Sequence, residues 1–439
     1  MAGHSHFSPD NVEEWFEFRS ESKRKLLIGI AVGVALLLIG AFLVSKGWGI
    51  GIDHHEHAHA AGDHAGHADE HGLSPLMKRI VANLWLNVVY FSGIAVIGMF
   101  FVCYQYLSWA GWSSAIKRVP EAFPSFLIVT GPIMLIVFLL FGKDIFHWLH
   151  DGITDPASEH YDKIIAGKAG FLNKPFYLIR TVAYLGVWYG LWRWMRSTSI
   201  AEDQLGGEEH WYKMKTIARL FVLFFAVTSS TSAWDWVMSI DTHWFSTMFG
   251  WYTFASWHVT GIAVIILTIL YLKDNGYMKY VNENHLHDLG KFMFAFSIFW
   301  TYVWFSQFLL IYYANLPEET IYFRERFSGY DHKYQATFFL NIFLNFVFPF
   351  LVMMTRDAKR TPIFLKIGAW GVIVGHYIDF YNNIMPGVVG ANGGIGLIEW
   401  GTVLAFACAF GYVVLNQLTK ASLVAKNHPM LEEALHHDI

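Results

Sequence analysis

The chain has 439 residues, of which 54% are hydrophobic, 18% aromatic and 15% charged, with a mean hydropathy of +0.35. Such an apolar chain of this length excludes a soluble enzyme and implies a polytopic membrane protein. The net charge of −4, without a basic patch, gives no reason to expect nucleic acid as a partner, and two cysteines, Cys103 and Cys408, supply neither a four-cysteine cluster nor a CxxCH haem attachment.

In chain order, residues 1–25 are polar, with Ser8 and Pro9 placed as cap and first residue of a helix and Val12, Trp15 and Phe16 on one of its faces. This predicts a short interfacial helix. Lys23, Arg24 and Lys25 then precede the apolar run 26–44, whose length and lack of a small-residue cleavage site predict a retained span rather than a signal peptide. Residues 45–79 form a loop holding His54, His55, His57, His59, His64, His67 and His71 at irregular spacing, which fits no defined metal site and reads as a solvated tract.

Mostly apolar runs recur at 80–107, 123–142, 175–195, 215–235, 249–272, 289–312, 334–355, 364–381 and 396–418. Each can cross a hydrocarbon core about 30 Å thick as a helix. None alternates as a barrel strand would, so the predicted fold is all-α with ten transmembrane helices. Ten spans put both termini on one side. Seventeen Lys and Arg residues fall in or beside the connections of that side and ten on the other, which predicts cytoplasmic termini. The connections 236–248 and 382–395, which carry no basic residue, then face outward.

Titratable groups at bilayer depth cost roughly 2.5 to 3.5 kcal/mol each on insertion scales, so they are the first candidates for function. The fifth span ends in the hydroxyl ladder Thr228 to Ser232 and Asp235; Asp241 and His243 follow in the turn, and His258 lies about 14 Å into the sixth span at 1.5 Å per residue. His258, able to titrate near neutral pH, is a candidate for proton transfer or quinol contact. In the ninth span His376, Asp379 and Asn383 share one helical face; the turn GVVGANGG follows, then Glu399 in the tenth span. Arg180, five residues into the fourth span, can pair with Asp235, Asp379 or Glu399, and the order of residues does not choose among them. The inner half of the bundle offers few polar residues in sequence. One haem between His258 and His376 is conceivable and two are not, and no Walker or GxGxxG motif stands in a strand-to-helix context.

The segments SAWDWVMSIDTHWFSTMFGWYTF and FSQFLLIYYANLPEETIYF, with HYIDFY of the ninth span, resemble the F subunit of the bacterial alternative complex III, a quinol:electron acceptor oxidoreductase. That subunit is in turn similar to the NrfD-like membrane subunits of polysulfide and nitrite reductases. The resemblance covers nearly all of the chain beyond the histidine tract. It implies two four-helix bundles related by pseudo-symmetry, at 80–235 and 236–381, with the first helix (26–44) and the tenth helix and tail (382–439) flanking them. It implies no metal or haem bound directly, a proton path, a menaquinol or quinone contact, and phospholipids. The implied partners are a paralogous C subunit, an iron-sulfur subunit, multihaem cytochrome c subunits and a terminal oxidase. Asp235 and Trp236 occupy positions of an acidic-aromatic motif of the C subunit, in which Pro commonly follows Ser; Ile240 and Asp241 stand there in this chain.

The expected function is a membrane subunit of such a complex, with Arg180, Asp235, Asp241, His243, His258, His376, Asp379 and Glu399 as site residues. A proton-coupled secondary transporter, or a structural scaffold whose polar residues join helices, are the rival readings.

Overall fold

The computed structural model describes residues 12–48 and 72–438. The seven tract histidines, and the Ser8–Pro9 start of the expected interfacial helix, lie outside the described residues. Ten long helices organise the remainder: α1 (Ser20–Ser45), α2 (Pro75–Leu107), α3 (Leu127–Ile145), α4 (Lys174–Leu205), α5 (Glu208–Trp236), α6 (Phe249–Asp274), α7 (Glu283–Ala314), α8 (Gln335–Met353), α9 (Pro362–Val389) and α10 (Leu397–Leu418). Among the described residues there is no strand. Nine of the ten are apolar enough to cross a membrane by composition. The other, α4, has 32 residues, and its Arg180, Arg193 and Arg196 lower its apolar average without shortening it.

Most helices overrun the predicted spans because their ends continue through polar residues that a hydropathy reading leaves to the loops. Asn173 caps α4 by accepting from the Phe176 backbone N–H at 3.0 Å, and Ser74 caps α2 in the same way. The glycine-rich turn after the ninth span is partly helical: α9 runs through Pro386 to Val389. Gly387 of this last turn lets Asp241 come close, since a Cβ there would stand 2.6 Å from Asp241 Oδ1.

The packing repeats. Helix α2 lies against α3 and α5, and α4 against α5; α6 lies against α7 and α9, and α8 against α9. Between the two sets α2 meets α6 and α9, while α5 meets α6. Exchanging α2–α5 with α6–α9 in order reproduces every one of these contacts, so α5 and α9 hold equivalent places. Outside this core α1 packs along α10, with Gly29, Gly33 and Gly40 against it, as small residues allow close approach of helices in lipid.

The expected interfacial helix is corrected where it is described. Residues 12–19 are not helical. They run along the C-terminal tail, where Glu14 O accepts from the Leu423 N–H at 2.7 Å and Lys426 pairs with Glu13 at 2.5 Å. Val12, Phe16 and Phe18 are buried there against protein, while Trp15, expected on the same face, is exposed. The two terminal segments therefore lie together on one side of the bundle, called the terminus side below.

Candidate functional site

On the side opposite the termini the polar residues of the two bundles form separate clusters. In the first bundle Asp235, at the end of α5 and fully buried, receives a fork from Arg180 of α4: Nε to Oδ2 at 2.8 Å and Nη2 to Oδ1 at 2.6 Å. Tyr184 donates its hydroxyl to Oδ2 at 3.1 Å. Arg180 also donates to Phe171 O at 2.9 Å, and its guanidinium lies between the rings of Phe171 and Phe176, 3.8 and 4.2 Å from their centroids. The open choice of partner for Arg180 is thus decided for Asp235. The hydroxyl ladder below it is locally satisfied: Thr228, Ser229, Thr231 and Ser232 bond back to carbonyls three or four residues earlier.

Asp379 occupies the equivalent place on α9 and is surrounded differently. Oδ2 accepts from Ser256 at 2.5 Å and from Trp300 Nε1 at 3.3 Å. Oδ1 accepts a short hydrogen bond from Tyr252, another from Asn341 at 3.0 Å, and a long one from Asn383 at 3.5 Å. Among the described residues no Lys or Arg side chain reaches this carboxylate; its nearest basic group is His376 Nδ1, one turn away at 3.8 Å. Neither nitrogen of buried His376 makes a hydrogen bond to a described residue.

Local sequence explains the pocket. Tyr252 and Ser256 fall at i and i+4 of α6, one face of the helix. In α8 a single π turn spans Phe343–Val347, a distortion frequent at functional sites. It lies between Asn341, which meets Asp379, and the C-terminal end of the helix, and Asn345 within it donates to Asn341 at 2.5 Å. Gly375 of α9 lets Asn345 approach, since a Cβ there would lie 2.2 Å from Asn345 Oδ1.

From Asp379 hydrogen bonds continue toward the far surface. Asn383 donates to Tyr252 Oη at 3.1 Å and accepts from Tyr322 at 2.8 Å. Above them Arg326 stacks on Tyr322, 3.4 Å from its centroid, and donates to Asn382 O and to Asp241 Oδ2, each at 2.8 Å. Tyr322 and Arg326 belong to a short helix, Pro317–Phe327, beyond the membrane spans. Burial, reinforced by the charge of Asp241, pushes the carboxyl of neighbouring Glu325 up to about 7. Asp241 therefore joins the Asp379 cluster, and the two connections without basic residues meet where Asp241 touches Gly387.

The remaining predicted residues lie elsewhere. Glu399 receives a fork from Arg79 of α2, 2.8 and 2.7 Å, and accepts from Asn83 at 2.9 Å. His243 contacts Asp162 Oδ2 at 2.5 Å on the loop between α3 and α4. His258 is fully buried against Phe296, ring centroids 3.9 Å apart, and neither of its nitrogens is bonded to a described residue.

The terminus side corrects the expectation of few polar residues. Lys117 pairs with Glu202 at 3.0 Å; Arg118 pairs with Glu121 at 3.0 Å and makes a short contact with Asp203; Arg196 lies 3.4 Å from Glu121. Trp192 Nε1 and Ser199 complete this buried network. Burial, with Lys117 and Arg118 nearby, holds His428 of the tail well below the usual histidine range. Between the network and His258, the side chains of Gln105 and Tyr104 each keep a buried polar atom without a partner among the described residues. The signal in sequence was Arg118 and Glu121 at i, i+3, hidden because this stretch reads as a connection.

No family model matches the chain, and no curated protein matches it. What the arrangement can do follows from donor and acceptor chemistry. A guanidinium only donates, so a proton on Asp235 would break the fork from Arg180. A hydroxyl can turn from donor to acceptor, so Asp379 can gain or lose a proton while Tyr252 and Ser256 remain bonded to it.

Proposed function

We propose that this chain is an integral membrane subunit of a quinol-oxidising respiratory complex of the bacterial cytoplasmic membrane, with both termini cytoplasmic, and that its second bundle passes protons to the outer face. The observation that supports this most is Asp379, buried with reversible hydroxyl partners and joined by hydrogen bonds through Asn383 to Tyr322, on whose ring Arg326, itself paired with Asp241, stacks near the surface. Quinol oxidation releases two protons, and this run of groups offers them an exit. On the terminus side, the Lys117–Glu202 and Arg118–Glu121 pairs, with Gln105, Tyr104 and His258 beyond them, form a second polar group, which no hydrogen bond among the described residues joins to Asp379.

The resemblance motifs supply the choice of complex. Paralogous C, iron-sulfur and multihaem cytochrome c subunits carry the electrons; phospholipids and a terminal oxidase adjoin. The resemblance gives this chain no redox group of its own. A quinone contact on it is assigned to a groove of about 400 Å³ lined by Trp112, Asp288, Lys291, Phe292, Ala295 and Phe296.

Purification in mild detergent from the native membrane tests the reading. The expected result is a preparation containing c-type haem that oxidises quinol. Isolation of the chain by itself, with proton-dependent solute uptake after reconstitution, would establish the transporter reading instead.

A further inference from the structure

After α10 the chain turns back and runs as a strap, residues 419–438, across the terminus side. Residues 421–425 are all buried, and the Leu423 N–H donates to Glu14 O at 2.7 Å. Asn427 donates to Asp203 O at the end of α4 at 2.9 Å, and Ser114 of the α2–α3 connection donates to Met430 O at 3.3 Å. The short helix Leu431–Leu435 packs on the 3-10 turn Gly111–Ala115, where Gly111 leaves room for Glu433: a Cβ there would stand 2.2 Å from Glu433 Oε2. At the start of α7, Asn282 and Asn284 donate to His437 O at 2.8 and 3.1 Å, and His437 Nε2 lies 2.8 Å from Asp288 Oδ2.

Under the strap lie the buried ion pairs of the first bundle. His428 sits over Tyr106, ring centroids 5.5 Å apart; Tyr106 accepts from Lys117 Nζ at 2.8 Å, and the same ammonium holds Glu202 at 3.0 Å. His428 and Met430 roof a cavity of about 10 Å³ whose floor is Gln105, Tyr106 and Lys117. That is room for about one water. Gln105, in the floor, and Glu202, on Lys117, each call for one: Gln105 Nε2 and Glu202 Oε1 are buried without a partner among the described residues. The roof itself is slight, since residues 426–430 form turns rather than helix and Pro429 is exposed. Such a stretch opens at lower cost than the bundle beneath it.

We propose that the strap is a gate on a hydrated vestibule. Closed, it keeps a water on Gln105 and Lys117 and shuts bulk solvent away from the Lys117–Glu202 pair; lifted, it admits water, and with it protons, to Glu202. The end of α10 is the hinge, and His437 on Asp288 is the latch. Asp288 is shared, for Lys291 pairs with it at 2.5 Å as well. Release of His437 therefore leaves the carboxylate paired, and the strap lifts without stranding a buried charge. The gate rests on the packing of the strap and not on quinol oxidation.

Thiol labelling tests this in the whole chain carrying Cys103→Ala and Cys408→Ala, with a water-soluble maleimide in mild detergent. Three reporters are compared singly: Ser113→Cys in the cavity wall, Glu432→Cys on the exposed side of the strap, and Ser232→Cys, buried toward the outer end of α5. Ser113→Cys is expected to react more slowly than Glu432→Cys and faster than Ser232→Cys, because the strap opens while the bundle stays folded. Asn427→Ala together with His437→Ala, which removes two of the strap's hydrogen bonds, should speed labelling of Ser113→Cys about tenfold and leave Ser232→Cys unchanged. Reaction of Ser113→Cys as slow as that of Ser232→Cys overturns the gate, since only unfolding would then expose it, and reaction as fast as that of Glu432→Cys overturns the closed state. An unchanged rate in the double variant overturns the latch. If the double variant speeds both buried reporters, the substitutions have loosened the bundle, and the comparison of the three reporters in the parent decides.

Discussion

Asp235 and Asp379 sit at equivalent positions of two similar bundles, both fully or almost fully buried, and differ in what faces them. The helix beside α5 presents Arg180; its counterpart beside α9 presents Asn341. A fixed cation makes the first carboxylate an interhelical clamp, one that loses its geometry on protonation. Neutral donors, two of them hydroxyls that can turn to accept, let the second exchange a proton while Tyr252 and Ser256 stay bonded to it. The same acid in the same fold is thus held by a fixed cation in one bundle and by neutral donors in the other, and the residue across the helix interface decides which.

The largest effect expected on this comparison comes from Arg180→Ala. It leaves Asp235 buried and unpaired, a loss of about 3–5 kcal/mol, which thermal melting or yield of folded protein would register. Retention of wild-type stability would show that Asp235 is not a clamp. Next is Gly375→Ala, where the new methyl group meets Asn345 and must displace it; about 1–3 kcal/mol is expected, along with impaired proton transfer, because Asn345 supports Asn341 against Asp379. No comparable effect is expected at Gly186 or Gly190 of α4, where an added Cβ meets nothing within 4 Å.

A smaller effect concerns Glu325 beside Asp241. With its carboxyl raised to about 7, the folded chain holds a proton that the unfolded chain releases at the ordinary carboxylate range. Its contribution therefore favours folding most at low pH and is lost as pH rises from about 4.5 to 7. Melting of Glu325→Gln should depend less on pH across this window than melting of the parent; an equal dependence would place the titration elsewhere. Smallest is His243→Gln, which lies outside both carboxylate clusters: quinol turnover of the assembled complex should stay at the parent's value, and a marked loss would draw His243 into the path.

The helices were legible because an uninterrupted apolar run of span length has few other solutions in a membrane, and all ten predicted runs became helices. Their ends were not, since caps such as Asn173 and Ser74 lie in polar sequence that hydropathy assigns to loops. Of the site, the sequence showed the carboxylates but not their partners. Arg79 and Glu399 are 320 positions apart, and only folding brings α2 to α10. Arg326 reads as a loop residue in sequence because its helix, Pro317–Phe327, is too short and polar to span. Asn341 and Asn345 were hidden in an apolar run, although their i, i+4 spacing was a usable sign. The conspicuous Thr228–Asp235 segment, by contrast, proves largely self-satisfied, since hydroxyls in a helix can bond their own backbone.

The central claim is tested most directly by proton release per quinol oxidised in Asp379→Asn, measured in the assembled complex beside Asp235→Asn. The account predicts that Asp379→Asn assembles and melts like the parent but releases protons to the outer face about tenfold or more slowly, whereas Asp235→Asn mainly loses stability. Full proton release in a stable Asp379→Asn complex would contradict it.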